Sequence, residues 1–266
     1  MHLTILGCSG SGPGPNQAAS GYLVEAAGHR LVVDLGNGTL ASLQAHGDPF
    51  SVAALLLSHL HPDHCADLTA LTVLRRYHPN PPHDPRAHRL PVHAPSEAPT
   101  RLAAAYAPSR AELAETDLSD VFDFHPLGPE PISLGPFTVT AAPVAHPCEA
   151  YGFRIEHDGQ VLAYTGDSGP CAALADLAAD ADVLLAEASW THAEDRPEGL
   201  HLSGRQAGEL AATAGVGRLL VTHVPPWTDA DAVLAEARAA FSGPTELVRQ
   251  GRTYPIAGTA DGRGVS

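Results

Sequence analysis

The feature that most constrains this chain is the stretch 55–68, LLLSHLHPDHCADL, where an apolar run drops into His59, His61, Asp63 and His64 and then turns apolar again. Such a run reads as a buried strand, and ionisable side chains gathered at its end need a shared partner. In extended backbone His59, His61 and Asp63 point the same way, because side chains alternate faces, and Pro62 helps turn the chain so that His64 follows. A continuous helix would not present HxHxDH on one face, since residues two apart lie about 200° around it. Three ligands on one face plus a neighbour can serve two adjacent metal ions, so a cation site is expected at this strand end.

Further ligands are available at matching places. His146 follows the apolar strand pattern TVTAAPVA, Asp167 closes VLAYTGD, and His223 ends RLLVTH. Each lies just beyond the C-terminal end of an apolar strand, as His59 does. One edge of the sheets would then gather every candidate ligand.

Strand and helix patterns alternate along the chain. Strands are expected at 2–8, 21–26, 30–36, 52–58, 137–144, 181–189, 218–223 and 245–250. The segment YGFRIEHDGQVLAYTGD reads as a hairpin around the Asp158-Gly159 turn. Helices are expected near 39–46, over 66–77 from the spacing of Leu68, Leu71 and Leu74, from a Ser203 cap to Ala214, and over 229–241. The proline-rich stretch 78–91 reads as a loop, and residues 251–266 as a frayed tail. Two halves, each of strands then helix, suggest stacked sheets covered outside by helices, an α/β chain with one domain over 1–250.

Composition limits the partners. The 266 residues carry a formal charge of −15, and all 15 basic residues are arginine. With no lysine there is no lysine nucleophile or Schiff base. An acidic, lysine-free chain is poorly suited to gripping a long nucleic acid, whose phosphates are usually neutralised by Lys and Arg. Cys8, Cys65, Cys148 and Cys171 form no CxxC pair, which argues against a zinc ribbon or a disulfide scaffold. The N-terminus has neither a basic n-region nor a long apolar one, and no run approaches a membrane span, so a cytoplasmic protein without a membrane partner is expected.

The string SHLHPDH, with His146, Asp167 and His223 following in order, resembles the metallo-β-lactamase superfamily on its ribonuclease Z-like branch. LGCSGSGPGPNQAASGYLVE, VVDLGNG, LLAEASW and HLSGRQAGELAATAGVGRLLVTH are also similar to that branch, and the likeness runs from about residue 1 to 250. It implies a four-layer αββα sandwich. It also implies two divalent cations, one on His59, His61 and His146, the other on Asp63, His64 and His223, with Asp167 bridging. His and carboxylate ligands suit Zn²⁺ and also accept Mn²⁺ or Fe²⁺. Two cations roughly 3.5–4 Å apart make a bridging hydroxide available for attack on phosphorus. Asp63 would orient or deprotonate that nucleophile, and His201, its ring held by Glu187, would be the acid for the leaving oxygen.

Ribonuclease Z enzymes usually carry a long Gly/Pro- and basic-rich arm before the bridging Asp. Here 20 residues separate His146 from Asp167, and the hairpin uses nearly all of them. LTVLRRYHP, EASWTH, GLHLSG and VTHVPPW resemble an actinobacterial group that includes enzymes hydrolysing 3′,5′-cyclic nucleotides such as cAMP. A small phosphodiester is therefore the expected substrate. A tRNA 3′-end endonuclease and a lactonase or thioesterase of the same fold are the alternatives, and a homodimer is expected by analogy. Arg75, Arg76 and Tyr77 are candidate substrate contacts, and Trp190 and Trp227 either stack on a base or pack under their loops.

Overall fold

A computed structural model describes residues 1–257. The first sheet is built from β1 (His2–Gly7), β2 (Gly21–Ala26), β3 (His29–Leu35), β4 (Ala54–Leu56), β5 (Leu90–Ala94) and β6 (Phe122–Pro126). The second uses β7 (Ile132–Leu134), β8 (Phe137–Pro143), β9 (Tyr151–His157), β10 (Gln160–Tyr164), β11 (Val183–Glu187), β12 (Leu219–Thr222) and β13 (Thr245–Leu247). A last strand, β14 (Thr253–Pro255), returns to the first sheet beside β1. The strand orders are β14-β1-β2-β3-β4-β5-β6 and β13-β12-β11-β10-β9-β8-β7.

Alternation along each strand sorts the side chains between two cores. In β3, Leu31 and Val33 enter the core between the sheets while Val32 faces outward; the left-handed backbone of Asp34 then breaks the alternation, so that Leu35 faces outward too. The inter-sheet core closes with Ile5, Tyr22 and Leu56 from one sheet against Phe153, Ile155 and Leu185 from the other. Each such side chain contributes roughly 1.5–3 kcal/mol by leaving water. Over the outer face of the first sheet lie α1 (Thr39–Ala45), α3 (Leu68–Tyr77) and α4 (Ala98–Tyr106), reached after the short α2 (Pro62–Cys65). Over the second lie α5 (Ala172–Ala178), α6 (Gly204–Thr213) and α7 (Ala230–Ala240). The result is the αββα sandwich that the resemblance implied.

Two expectations need correction. The segment 251–266 is not all tail: β14 pairs with β1, and Tyr254 and Ile256 are buried in the inter-sheet core. Two apolar residues in a short run were too weak a pattern to read as a strand; residues 258–266 lie outside the described chain. The 78–91 loop ends at 89, because Leu90 and Pro91 open β5. Pro91 is tolerated there since pairing with β4 begins only at Val92.

What positions the site is strand direction. β3, β4 and β5 run parallel, as do β10, β11 and β12, and β8 shares the direction of β10 through two antiparallel steps. The strands that end in candidate ligands therefore open along common edges of the two sheets.

Candidate metal centre

Each ligand follows a strand end closely. His59 comes three residues after β4, His146 three after β8, Asp167 three after β10, and His223 directly after β12. His223 holds a left-handed backbone, φ 58°, and so does buried Asp34 near the end of β3, also φ 58°. Both are non-glycine residues in a conformation that costs energy, which recurs at functional sites. His61 is extended and caps α2, so Asp63 and His64 already belong to a helix begun by Pro62. The expectation that Asp63 shares the extended run is corrected: the turn comes two residues earlier, after His61, because Pro62 at the first helical position is preset for it.

The side chains converge into three groups able to hold a metal ion. His59, His61 and His146 make the first, with His59 buried and His61 exposed; Asp63, His64, Asp167 and His223, all buried, make the second; Glu187, His201 and His223 make a third that shares His223. His59 Nε2 is 2.9 Å from His61 Nδ1, and His146 Nε2 is 3.2 Å from the same atom. In the second group His64 Nε2 and His223 Nε2 face each other at 3.2 Å. Asp167 stands between the first two groups. Its Oδ1 is 3.2 Å from His64 Nε2, and its Oδ2 is 3.2 Å from His223 Nε2 and 3.8 Å from His59 Nε2.

The partners of the outward ring nitrogens assign the tautomers. His64 Nδ1 meets the Asp34 carboxylate at 2.8 Å, which can only accept, so Nδ1 carries the hydrogen of the neutral ring. His146 Nδ1 donates to the Leu200 carbonyl at 3.0 Å. Ser58 Oγ gives its hydrogen to Asp34, so it accepts from His59 Nδ1 at 3.1 Å. Ser189 Oγ likewise donates to Glu187 and accepts from His223 Nδ1 at 3.1 Å. Four imidazoles thus turn Nε2 lone pairs inward. Asp167 Oδ1 is buried without a hydrogen-bond donor. Lone pairs facing one another at 3.2 Å around an unpartnered carboxylate oxygen repel unless a cation sits among them. The donor set fits divalent metal ions, and each outward partner is of the kind that orients a metal-binding histidine.

His201 lies beside this cluster on the loop before α6. Ser189 N donates to the Leu202 carbonyl, and Ser203 caps α6 in a reciprocal box with Gln206, as its sequence position suggested. His201 Nδ1 is 2.8 Å from Glu187 Oε1. Burial alone would lower the pKa of the His201 ring, but the Glu187 carboxylate outweighs it and raises it. Asp63 shows the opposite balance: burial would raise its carboxyl pKa, and the imidazoles of His223 and His64 beside it, at 3.2 and 3.5 Å, hold it below the usual range.

Other sequence candidates go elsewhere. Arg75 is buried, and its guanidinium donates to the carbonyls of Val121 and His88, fastening the proline-rich loop. Arg76 pairs with Asp120 at 2.7 Å and lies 5.0 Å over the Tyr106 ring. They and exposed Tyr77 end α3, whose ten residues carry the chain about 15 Å beyond its start. The structure does not bring them to the ligands. Cys65 donates to the His61 carbonyl, its thiol pKa pushed up to about 12 by burial, and neither it nor Cys148 joins a ligand group. Asp34, Ser58 and Ser189 escaped the sequence reading as site residues. Asp34 carried a signal: a carboxylate inside the apolar run VVDLG must find buried donors. It has four, from Ser58 N, Ser58 Oγ, His64 Nδ1 and Tyr164 OH.

Comparison with known proteins agrees with this geometry. The profile described as the beta-lactamase superfamily domain matches residues 19–224. The chain belongs to that superfamily. It is 48% identical to the uncharacterized protein Rv1339 of Mycobacterium tuberculosis, over 96% of this chain and 92% of that one. It is 33% identical to a ribonuclease Z of Mycolicibacterium paratuberculosis, over 85% of this chain and 86% of that one. The crystal structure of the metallo-β-lactamase fold protein YhfI from Bacillus subtilis superposes with a TM-score of 0.81 at 28% identity, covering 96% of this chain and 99% of that one. The chain is a metallo-hydrolase of this superfamily. Among the described residues, no helix is long and apolar enough to cross a membrane.

Proposed function

We propose that this metallo-hydrolase is a phosphodiesterase for a small phosphodiester, a 3′,5′-cyclic nucleotide such as cAMP. The observation that carries the reading is the Glu187–His201 pair beside the ligand groups, because an alkoxide leaving from phosphorus needs a proton and a raised-pKa imidazole supplies one. His59, His61 and His146 would hold one cation and Asp63, His64 and His223 the other, with Asp167 shared between them. Such a pair supplies Lewis acidity toward the phosphoryl oxygens and acidifies the attacking water.

The remaining work falls to this chain's own residues. Asp63, kept ionised, orients the water and accepts its proton as the new O–P bond forms. Glu187 fixes the His201 ring through Nδ1, leaving Nε2–H to protonate the ester oxygen as its bond to phosphorus breaks. Both protons then re-equilibrate with solvent.

Substrate size follows from what surrounds the centre. Between His146 and Asp167 the chain forms only the β9–β10 hairpin, and the charge of −15 repels a polyanion. The likeness to ribonuclease Z favours a second reading, cleavage of precursor tRNA. Purified protein loaded with Zn²⁺ or Mn²⁺ should convert cAMP to AMP and leave precursor tRNA whole. Cleavage of the tRNA with cAMP untouched would establish the second reading instead, and turnover of an acyl lactone alone would exclude both.

A further inference from the structure

Beside His201 lies a cavity of about 510 Å³ whose walls include both tryptophans of the chain, Trp190 and Trp227, together with Arg196 and Asp229. The two indoles are in opposite situations. Trp190 meets the His201 ring edge-to-face at 5.2 Å, and the Arg196 guanidinium stands 5.3 Å over its own ring. It is committed to packing. Trp227 is 75% exposed, and among the described residues no ring or guanidinium lies against it.

An indole ordinarily hides roughly 150–250 Å² on folding, so leaving this one in water forgoes a large hydrophobic gain. The turn that presents it is nevertheless braced. Pro225 and Pro226 precede it, Thr228 N donates to the Pro225 carbonyl at 2.9 Å, and Thr228 Oγ1 donates to the Ser189 carbonyl at 3.0 Å. Asp229 then caps α7 by accepting from Ala232 N. Upstream, Gly10 N donates to the Val224 carbonyl. A rigid mount for an exposed aromatic face lowers the cost of ordering it around a planar ligand.

Resting on the phosphodiesterase reading, we propose that Trp227 is the stacking platform for the nucleobase of the substrate. His201 protonates the leaving oxygen, so the sugar bearing that oxygen lies on the His201 side of the cluster. In a cyclic nucleotide the same sugar carries the base, which is thereby directed into the cavity that Trp227 walls. Stacking reads area rather than edge pattern, so purines bind more tightly than pyrimidines, with little choice between adenine and guanine.

The test uses metal-loaded protein and three non-cyclic probes: 5′-AMP, adenosine and ribose 5-phosphate. Trp227→Leu should weaken AMP and adenosine alike by about tenfold, leave ribose 5-phosphate binding as it was, and be partly rescued by Trp227→Phe, all by calorimetry. In Trp190→Phe protein Trp227 is the only indole, and AMP but not ribose 5-phosphate should quench its fluorescence. Unchanged AMP affinity in Trp227→Leu, an equal loss for ribose 5-phosphate, or a change in oligomeric mass in place of affinity would each overturn the platform. If the native protein hydrolyses cAMP yet Trp227→Leu binds AMP normally, the platform fails and the phosphodiesterase reading survives. If AMP quenches Trp227 but cAMP is not hydrolysed, the platform survives and the activity does not.

Discussion

Asp34 and His64 share a 2.8 Å hydrogen bond in the closed interior, behind the face that His64 turns toward Asp167 and His223. That bond decides which nitrogen of His64 offers its lone pair. Asp34→Asn keeps the volume but removes the charge and can present an N–H where only an acceptor suits. Metal affinity should fall by about 10–100-fold, since outward partners of histidine ligands are worth that much. Competition against a chelating dye measures it, with circular dichroism showing that the fold persists. An unchanged affinity would remove Asp34 from the centre.

The Glu187–His201 pair sets a pH dependence. Burial would lower the ring's pKa and the carboxylate outweighs it, so the folded value lies above about 6.5. In metal-free protein the stability drawn from this shift is full below the unfolded value and is lost as pH rises through the folded one. Proton NMR should show His201 titrating above its ordinary range, and Glu187→Gln should bring it down. In turnover, His201→Ala should slow cAMP hydrolysis by about 10²–10⁴-fold. A p-nitrophenyl phosphodiester, whose leaving group needs no proton, should lose much less. Equal losses on the two substrates would show that His201 is not the acid.

Chelation exposes the strain in the ligand cluster. Without cations, His64 and His223 face one another at 3.2 Å beside the donor-less Asp167 Oδ1. Loaded protein at a free metal concentration 100 times its Kd should be more stable by about 2.7 kcal/mol for each site filled. Scanning fluorimetry with and without chelator should therefore show a lower melting temperature in the stripped protein, restored by adding Zn²⁺ back. A melting temperature indifferent to chelator would mean that the cluster holds no ion in solution.

Ligands written into strand ends were legible in the sequence because period-two patterning marks where each apolar strand stops. His59, His146, Asp167 and His223 all follow such stops, whereas His201 was legible only through the resemblance of HLSGRQAGELAATAGVGRLLVTH to the ribonuclease Z-like branch. Asp34 was not singled out, since one carboxylate in a strand pattern looks like an ordinary irregularity until its four donors are in place. Arg75 and Arg76 were misplaced for a related reason. A helix end rich in cations resembles an anion site, and only the fold reveals that backbone carbonyls of a loop and Asp120 already occupy them. β5, α4, β6, β7 and α5 went unread because their short, proline-flanked or alanine-rich segments carry weak periodicity, and the surrounding sheets and layers define them.

Gly36 offers the sharpest test of how the first ligand loop is held. A Cβ there would lie 1.9 Å from the Asp63 carbonyl oxygen and 2.6 Å from its carbon. That oxygen accepts from Ser20 N at 3.0 Å, and Gly36 N donates to the Ser20 carbonyl at 2.8 Å, so the two backbones are locked in close approach. Because the obstacle is main chain, it moves only by carrying Asp63 with it. Gly36→Ala should destabilise the protein by about 1–3 kcal/mol, as overpacking does, and weaken metal binding as Asp63 leaves His223. Gly128→Ala, where a Cβ meets nothing within 4 Å, is the matched control and should change neither. Urea denaturation and metal titration on the two variants separate the outcomes. Should Gly36→Ala bind metal as tightly as the native chain, the close approach at Asp63 would be packing alone, with no bearing on the centre.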